Sequence, residues 1–287
     1  MTEVATTDLQ LVAADGWPLA ATLYRSAARP QRAVIVSSGT GFPRRFYRHF
    51  AHHLAAGGAL VLTYDYRGIG GSLNARRGFT EIDYTDWGRL DMPTAVEAME
   101  AQAGDLPITH VAHSVGGHFL GLMPNHARLA RHAFISVGTG YWGGHHPRNW
   151  PLEFYFWWGL GSYSLFRFNE VRSIGGWSGE PLPPRLFRTW RRWSHQRGYF
   201  RPELKRGLHP QAYDEVRAPI ASWIFTDDPI ATRKSGAELL AMYPSAATEM
   251  RVRSPRALGQ RRIGHEGAFR PGQEKLWQEV ADWLAEA

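Results

Sequence analysis

Apolar residues in this chain gather in short unbroken runs, set apart by longer stretches in which they recur every three or four positions. Val34, Ile35 and Val36 stand in a row within Arg32 to Ser37, and Ala59 to Tyr64, Ile108 to Val111 and His132 to Val137 are similar runs. Runs of this length without alternation are the pattern of strands buried on both faces. Ahead of them, residues 7 to 25 read as a hairpin: alternation around Leu9 to Ala13, an Asp15-Gly16 turn, then a strand from Leu19 to Tyr24. Between the runs lie helical periods. Phe46, Phe50 and Leu54 are four apart and end at Gly57-Gly58, Asp86 to Ala103 forms a second period, and Gly116 to Met123 forms a third, stopped by Pro124. Strand and helix in alternation predict an α/β architecture, a doubly wound and mostly parallel sheet covered on both faces.

The alternation stops near Gly138 and does not resume until after Tyr213. The intervening stretch carries seven of the twelve tryptophans, the run Phe154-Tyr155-Phe156-Trp157-Trp158, and a helix predicted from Leu186, Trp190 and Trp193 behind Pro181-Leu182-Pro183-Pro184. Beyond it, Pro219 to Phe225 is a strand, Thr232 to Met242 a helix and Glu249 to Arg253 a short last strand. Leu276, Val280, Trp283 and Leu284 then mark a helix from Gln273 to Ala285. The expected organisation is a core in two parts, 1–137 and 214–287, interrupted after the sixth strand by a cap or lid at 138–213. The insertion's aromatics are expected both to pack on one another and to roof a pocket above the sheet.

At 287 residues and 44% hydrophobic, the chain is long enough for one large domain with a sizeable core. The first eight residues, Met-Thr-Glu-Val-Ala-Thr-Thr-Asp, have neither a basic nor an apolar region of a secretory signal, and no apolar run approaches the ~18 residues of a membrane span. A cytoplasmic protein without stable membrane insertion is expected. Zero cysteines exclude disulfides, a thiol nucleophile and thiolate metal sites. The formal charge of +7 is spread along the sequence as arginine, lysine occurring only at 205, 234 and 275, without a block of five or six like charges. Nucleic-acid binding is therefore not expected, while attraction for anionic substrates or membrane surfaces stays open.

One stretch has chemistry that the periodicity does not need. In Pro107 to Leu120, a buried strand turns directly into a predicted helix at Ser114, with Ala112 and Gly116 two positions to either side. Such a turn pushes its side chain out above the sheet, and the next amide, on Val115, points where an oxyanion would form. Asp228 follows a strand about a hundred residues later and His265 follows the last strand, so nucleophile, acid and base leave the carboxyl edge of the sheet in that chain order. His265 would take the Ser114 proton and Asp228 would hold the imidazole. A second oxyanion amide is expected from the loop after Ser37, on Thr40. His113 is expected to line the sheet or the pocket, and Asp65 and Arg67 to brace a turn. His49, His52 and His53 include an i, i+4 pair, but without the glutamate of a zinc-hydrolase helix they are read as surface, and no metal is expected. Gly68-Ile69-Gly70-Gly71-Ser72 lacks the lysine of a phosphate loop.

Together, Ser38-Gly-Thr-Gly-Phe-Pro43, Asp65-Tyr-Arg-Gly-Ile-Gly-Gly-Ser72, Ala112-His-Ser-Val-Gly116, Thr226-Asp-Asp-Pro-Ile230 and Ile263-Gly-His265 resemble the α/β-hydrolase-fold serine hydrolases of the serine aminopeptidase-like and lysophospholipase-like branch. Ala112 stands where that family has glycine, and Ser38 where its loop often has histidine. The resemblance implies a serine hydrolase with no organic cofactor, and it favours Asp228, directly before Pro229-Ile230, over Asp227, which would cap the following turn. It implies cleavage of a carboxylic ester, thioester or amide of a small-molecule acyl substrate through an acyl-enzyme. An acyltransferase or peptidase with the same triad, or a non-catalytic ligand-binding relative, are the alternatives. Phe42, Tyr141, Trp142 and Trp157 are expected to contact an apolar or aromatic substrate. The oligomeric state is left open, a homodimer included.

Overall fold

A computed structural model describes residues 3–73 and 78–287. Eight strands form one sheet: β1 (Val4–Val12), β2 (Pro18–Ser26), β3 (Arg32–Ser37), β4 (Ala59–Tyr64), β5 (Ile108–His113), β6 (Arg131–Ile135), β7 (Ile220–Phe225) and β8 (Thr248–Arg253). Their order is β1-β2-β4-β3-β5-β6-β7-β8. Only β2 runs antiparallel to its neighbours β1 and β4, and every pairing from β4 to β8 is parallel. The apolar runs explain this: all six residues of β4, of β5 and of β7 are buried, which demands cover on both faces.

That cover comes from helices between the strands and from one after β8. They are α1 (Arg48–Ala56), α2 (Met92–Ala103), α3 (Trp150–Phe154), α4 (Gly161–Phe168), α5 (Pro184–Ser194), α6 (Arg233–Leu240) and α7 (Glu274–Ala285). Alternate strand residues divide between two cores. Val34, Val36, Val61 and Val111 pack with Phe50 and Leu54 of α1 and Leu276, Val280 and Leu284 of α7. Ala33, Ile35, Leu60 and Leu62 belong with Val96 and Met99 of α2. The side-chain period of two along each strand is thus used on both faces.

The helix expected over Gly116 to Met123 is not formed. The chain instead makes two 3-10 turns, Ser114–Gly117 and Leu120–Leu122, separated at Phe119 by non-helical backbone (φ −103°, ψ 12°). The reason is close packing around glycines. A Cβ on Gly116 would lie 2.5 Å from the Ser37 carbonyl oxygen, one on Gly117 2.7 Å from Val137, and one on Gly121 2.4 Å from the Tyr213 ring. Three glycines in eight positions also cost a helix about 1 kcal/mol each.

Between β6 and β7 the described chain adds no strand to the sheet. Residues 150–168 form one continuous helix, α3 and α4 joined by a π-helical stretch at Tyr155–Leu160, and α5 packs against it. The buried aromatics of this segment, Trp157, Phe187, Trp193, Tyr199 and Phe200, are continuous with the α2-side core.

Candidate active site

At the end of β5 the backbone reverses through Ser114, which sits at φ +50°, left-handed geometry that a serine adopts only under constraint. The constraint is the turn itself, pressed onto Ser37 so closely that only glycine fits at 116. Ser114 Oγ therefore projects above the carboxyl edge of the sheet, where His265 Nε2 lies 3.0 Å away. On the far side of that imidazole, Nδ1 is 2.9 Å from Asp228 Oδ2 and 3.2 Å from Oδ1. Since an ionised carboxylate only accepts, Nδ1 donates, which leaves Nε2 as the acceptor of the Ser114 hydroxyl proton.

Asp228 is buried, and burial alone would raise its pKa. The attraction and hydrogen bond of His265, with the N–H groups of Ile230 (2.8 Å) and Ala231 (3.0 Å), outweigh burial and hold it below the usual value. Burial pushes the His265 pKa down, but Asp228 more than reverses this and leaves it raised. Asp227 does something other than cap the next turn. Its Oδ2 accepts the N–H groups of Ile263 (2.9 Å) and Gly264 (3.0 Å), tying the loop that carries His265 to the loop that carries Asp228. The two adjacent carboxylates thus hold the same loop, Asp227 by its backbone and Asp228 by the His265 side chain.

His113 does not face the pocket. It is fully buried, and its Nε2 donates to the His265 carbonyl oxygen at 2.9 Å. Its Nδ1 then accepts from the Tyr47 hydroxyl at 2.7 Å, and that hydroxyl accepts the N–H of Gly39 at 2.8 Å. One chain of hydrogen bonds thus joins the loop after β3, the residue before Ser114 and the His265 loop. Nothing in the sequence pattern signals Tyr47, because its partners are 66 and 8 positions away.

The amides of Thr40 and Val115 donate no hydrogen bond among the described residues. Thr40 is held by its side chain instead, Oγ1 lying 2.6 Å from the hydroxyl of Tyr84. Asp65 receives the backbone N–H of Arg44 and of Gly71, and Arg67 pairs with Asp91 and Asp15, so both residues brace turns below the site. Among the described residues, no group of three or more His, Cys, Asp or Glu is placed to hold a metal ion.

Ser114, His265 and Thr40 open on a cavity of about 750 Å³. Core loops form one wall. Residues 145–194 supply the other, and the apolar lining includes Phe42, Tyr84, Phe156, Trp157, Trp177 and Trp190. Of the four aromatics expected to contact substrate, Phe42 and Trp157 line this cavity, whereas Tyr141 and Trp142 do not. The chain turns away after Gly140: the Tyr141 ring folds over Gly143 beside a separate cavity, and Trp142 packs against Trp150 and Phe154. Sequence reading also missed the polar lining. His118 donates from Nε2 to the Gly138 carbonyl (2.7 Å), and Glu153 joins His145 Nδ1 (2.8 Å) and Asn149 (2.6 Å). Those partners come from segments that only folding brings together.

Residues 28–164 match the family model described as serine aminopeptidase, S33. No curated protein matches the sequence. Among solved structures, a soluble variant of monoglyceride lipase from Saccharomyces cerevisiae superposes with a TM-score of 0.65 at 14% identity, over 100% of this chain and 94% of that one. A thermostable carboxyl esterase from Bacillus coagulans gives 0.64 at 14% identity, over 98% of this chain and 99% of the other. DcsB, in complex with its substrate analogue, gives 0.64 at 13% identity over 98% and 99%. At such identities the likeness is one of fold, and it extends over nearly the whole chain. The protein has the α/β-hydrolase fold, and over residues 28–164 it resembles the serine aminopeptidase family.

Proposed function

We propose that this protein is a serine hydrolase that cleaves a carboxylic ester, thioester or amide of an apolar or aromatic acyl substrate through an acyl-enzyme. The observation that carries this reading is the unbroken line from Ser114 Oγ to His265 Nε2 (3.0 Å) and from His265 Nδ1 to Asp228 (2.9 Å), at a serine held in left-handed backbone. In this reading Ser114 Oγ attacks the acyl carbonyl while its proton passes to His265 Nε2. The imidazolium is stabilised by buried Asp228, and the carbonyl oxygen, now an anion, takes the N–H groups of Val115 and Thr40. Collapse expels the alcohol, thiol or amine with the proton from His265. Water then repeats the sequence on the acyl-Ser114 ester, returning the acid and the free serine. Phe42, Trp157, Trp177 and Trp190 favour an apolar acyl group over a charged peptide, and the wall from the 138–213 insertion serves as the lid.

The test is turnover of p-nitrophenyl esters from acetate to dodecanoate, with fluorophosphonate labelling. Ser114→Ala, Asp228→Asn and His265→Ala are each expected to lose roughly a thousandfold or more in kcat, and label is expected on Ser114 alone. Turnover surviving in Ser114→Ala, or a wild type that takes no label, overturns the reading.

A further inference from the structure

The helix over residues 150–168 is apolar on two sides, yet only one side is covered. Phe156, Trp157 and Leu160 turn inward, against the core and the pocket. The other side presents Phe166 at 92% exposure, Leu152 at 61%, Tyr163 at 58%, Trp158 at 54%, Tyr155 at 49% and Phe154 at 40%. Among the described residues eight large hydrophobics are this exposed, and six of them are on this helix. Exposed apolar residues scattered over a surface need no explanation, but a patch of aromatics on one helix marks a contact surface.

Charge says what the contact is. Arginines occur throughout the sequence, but the formal charge excess does not. Residues 138–213 hold eleven Lys and Arg against four Glu and no Asp, a formal +7 equal to that of the whole chain, so the remaining residues balance at 22 of each sign. Arg191 lies over the Trp158 ring at 4.6 Å and Arg167 over Phe168 at 5.2 Å, and neither has a carboxylate within ion-pair distance among the described residues. An aromatic stripe edged with arginines is complementary to an anionic lipid surface, where rings enter the headgroup boundary and guanidiniums meet phosphates. Against a second copy of itself the same face would bring like charges together.

We propose that the 150–168 helix docks the protein on anionic membranes, lying in the interface rather than crossing it. Among the described residues no helix is long and apolar enough to cross a membrane. Leu152 and Tyr155 belong both to this surface and to the lining of the Ser114 cavity, so docking would set the cavity mouth against the lipid. That an acyl substrate enters from the membrane rests on the hydrolase reading; the docking does not.

The experiment is co-sedimentation of the full chain with vesicles of phosphatidylcholine, alone or mixed with phosphatidylglycerol, for wild type, Ser114→Ala and Tyr163→Glu with Phe166→Glu. Wild type and Ser114→Ala should both pellet with the mixed vesicles and be released by raised salt. The double Glu variant should bind roughly tenfold or more weakly. It should also keep its turnover of a soluble acetyl ester, since both positions point into solvent. Binding by Ser114→Ala separates docking from catalysis. The proposal is overturned by wild type staying in solution with anionic vesicles, by equal binding to neutral ones, or by full binding of the double Glu variant. A concentration-dependent dimer that the double Glu variant dissolves would give the stripe to a second copy and also overturn it.

Discussion

His113 shows how a residue can serve the site without touching a substrate. Its ring joins the Gly39 loop, through Tyr47, to the backbone of His265, so three segments from distant parts of the chain share one buried hydrogen-bond line. Burial pushes its pKa down to about 3, so it stays neutral and keeps one donor and one acceptor at working pH. Removing the line should misplace groups rather than unfold the chain. His113→Asn is expected to lower kcat by up to about a hundredfold with KM little changed, and Tyr47→Phe to lose less, as one hydroxyl is removed. A loss confined to KM, or proportional to lost thermal stability, would reduce the line to packing. Ser114, Asp228 and His265 were legible in the sequence because each leaves a recognisable strand, and strand exits carry position. Tyr47, Asp227 and the misassigned Tyr141 and Trp142 were not, since side-chain direction at a turn depends on neighbours that one-dimensional spacing does not contain. Asp228 also sets a pH dependence. A raised His265 pKa means the base is protonated until the pH exceeds the ordinary 6.5, so kcat/KM should rise through an apparent pKa above that value. In Asp228→Asn this limb should move down.

At the scale of elements, the clearest departure from sequence is the missing helix after Ser114. Apolar periodicity across Phe119, Leu120 and Met123 is real, and these side chains are buried, but periodicity reports which residues face the core and not whether a backbone has room to coil. The Gly121 backbone lies against Tyr213, whose hydroxyl donates to the His118 carbonyl at 2.6 Å, while Ala212 donates to Gly121 at 2.7 Å. These bonds fasten the far end of the 138–213 segment to the turn that carries Ser114. The geometry predicts a sign. If the segment were a helix, Gly121→Ala would stabilise by about 1 kcal/mol. Because a Cβ would meet the Tyr213 ring at 2.4 Å, it should instead destabilise by about 1–3 kcal/mol, seen as a lower urea midpoint. Strands were read more faithfully, within a residue or two for β3, β4, β7 and β8. For β3, β4 and β7, buried along nearly their whole length, few polar positions blur the ends.

For the molecule as a whole, four buried histidines couple the fold to acid. His110 and His132 meet across β5 and β6, their Nδ1 atoms 3.2 Å apart, and His110 Nε2 lies 2.8 Å from the Ser37 hydroxyl. Burial lowers the pKa of His110 and His113 to about 3 and of His118 to about 4, and that of His132 lies well below the ordinary value. In the unfolded chain these groups titrate near 6.5. Below that pH the unfolded state binds more protons than the folded one, so their contribution is fully present above pH 6.5 and is lost as the pH falls toward 3 to 4. Each group loses about 1.4 kcal/mol per pH unit in that window. Four together would remove roughly 4 kcal/mol between pH 6.5 and 5.5, a large part of the stability of an ordinary domain. His265, with its raised pKa, acts in the opposite sense and only above 6.5, so it does not soften the acid side. Asp91 opposes them, because burial raises its carboxyl to about 7 and the folded state takes up that proton over the same range, offsetting about one of the four. Unfolding free energy from urea titrations should therefore still fall below pH 6.5, with the slope of about three groups. Replacing the sheet pair by His110→Leu with His132→Leu removes two of the four titrations while Ser37 keeps its bond to the Tyr64 hydroxyl at 2.8 Å. The slope of stability against pH should then fall by more than half. An unchanged slope would place the acid sensitivity in the carboxylates instead.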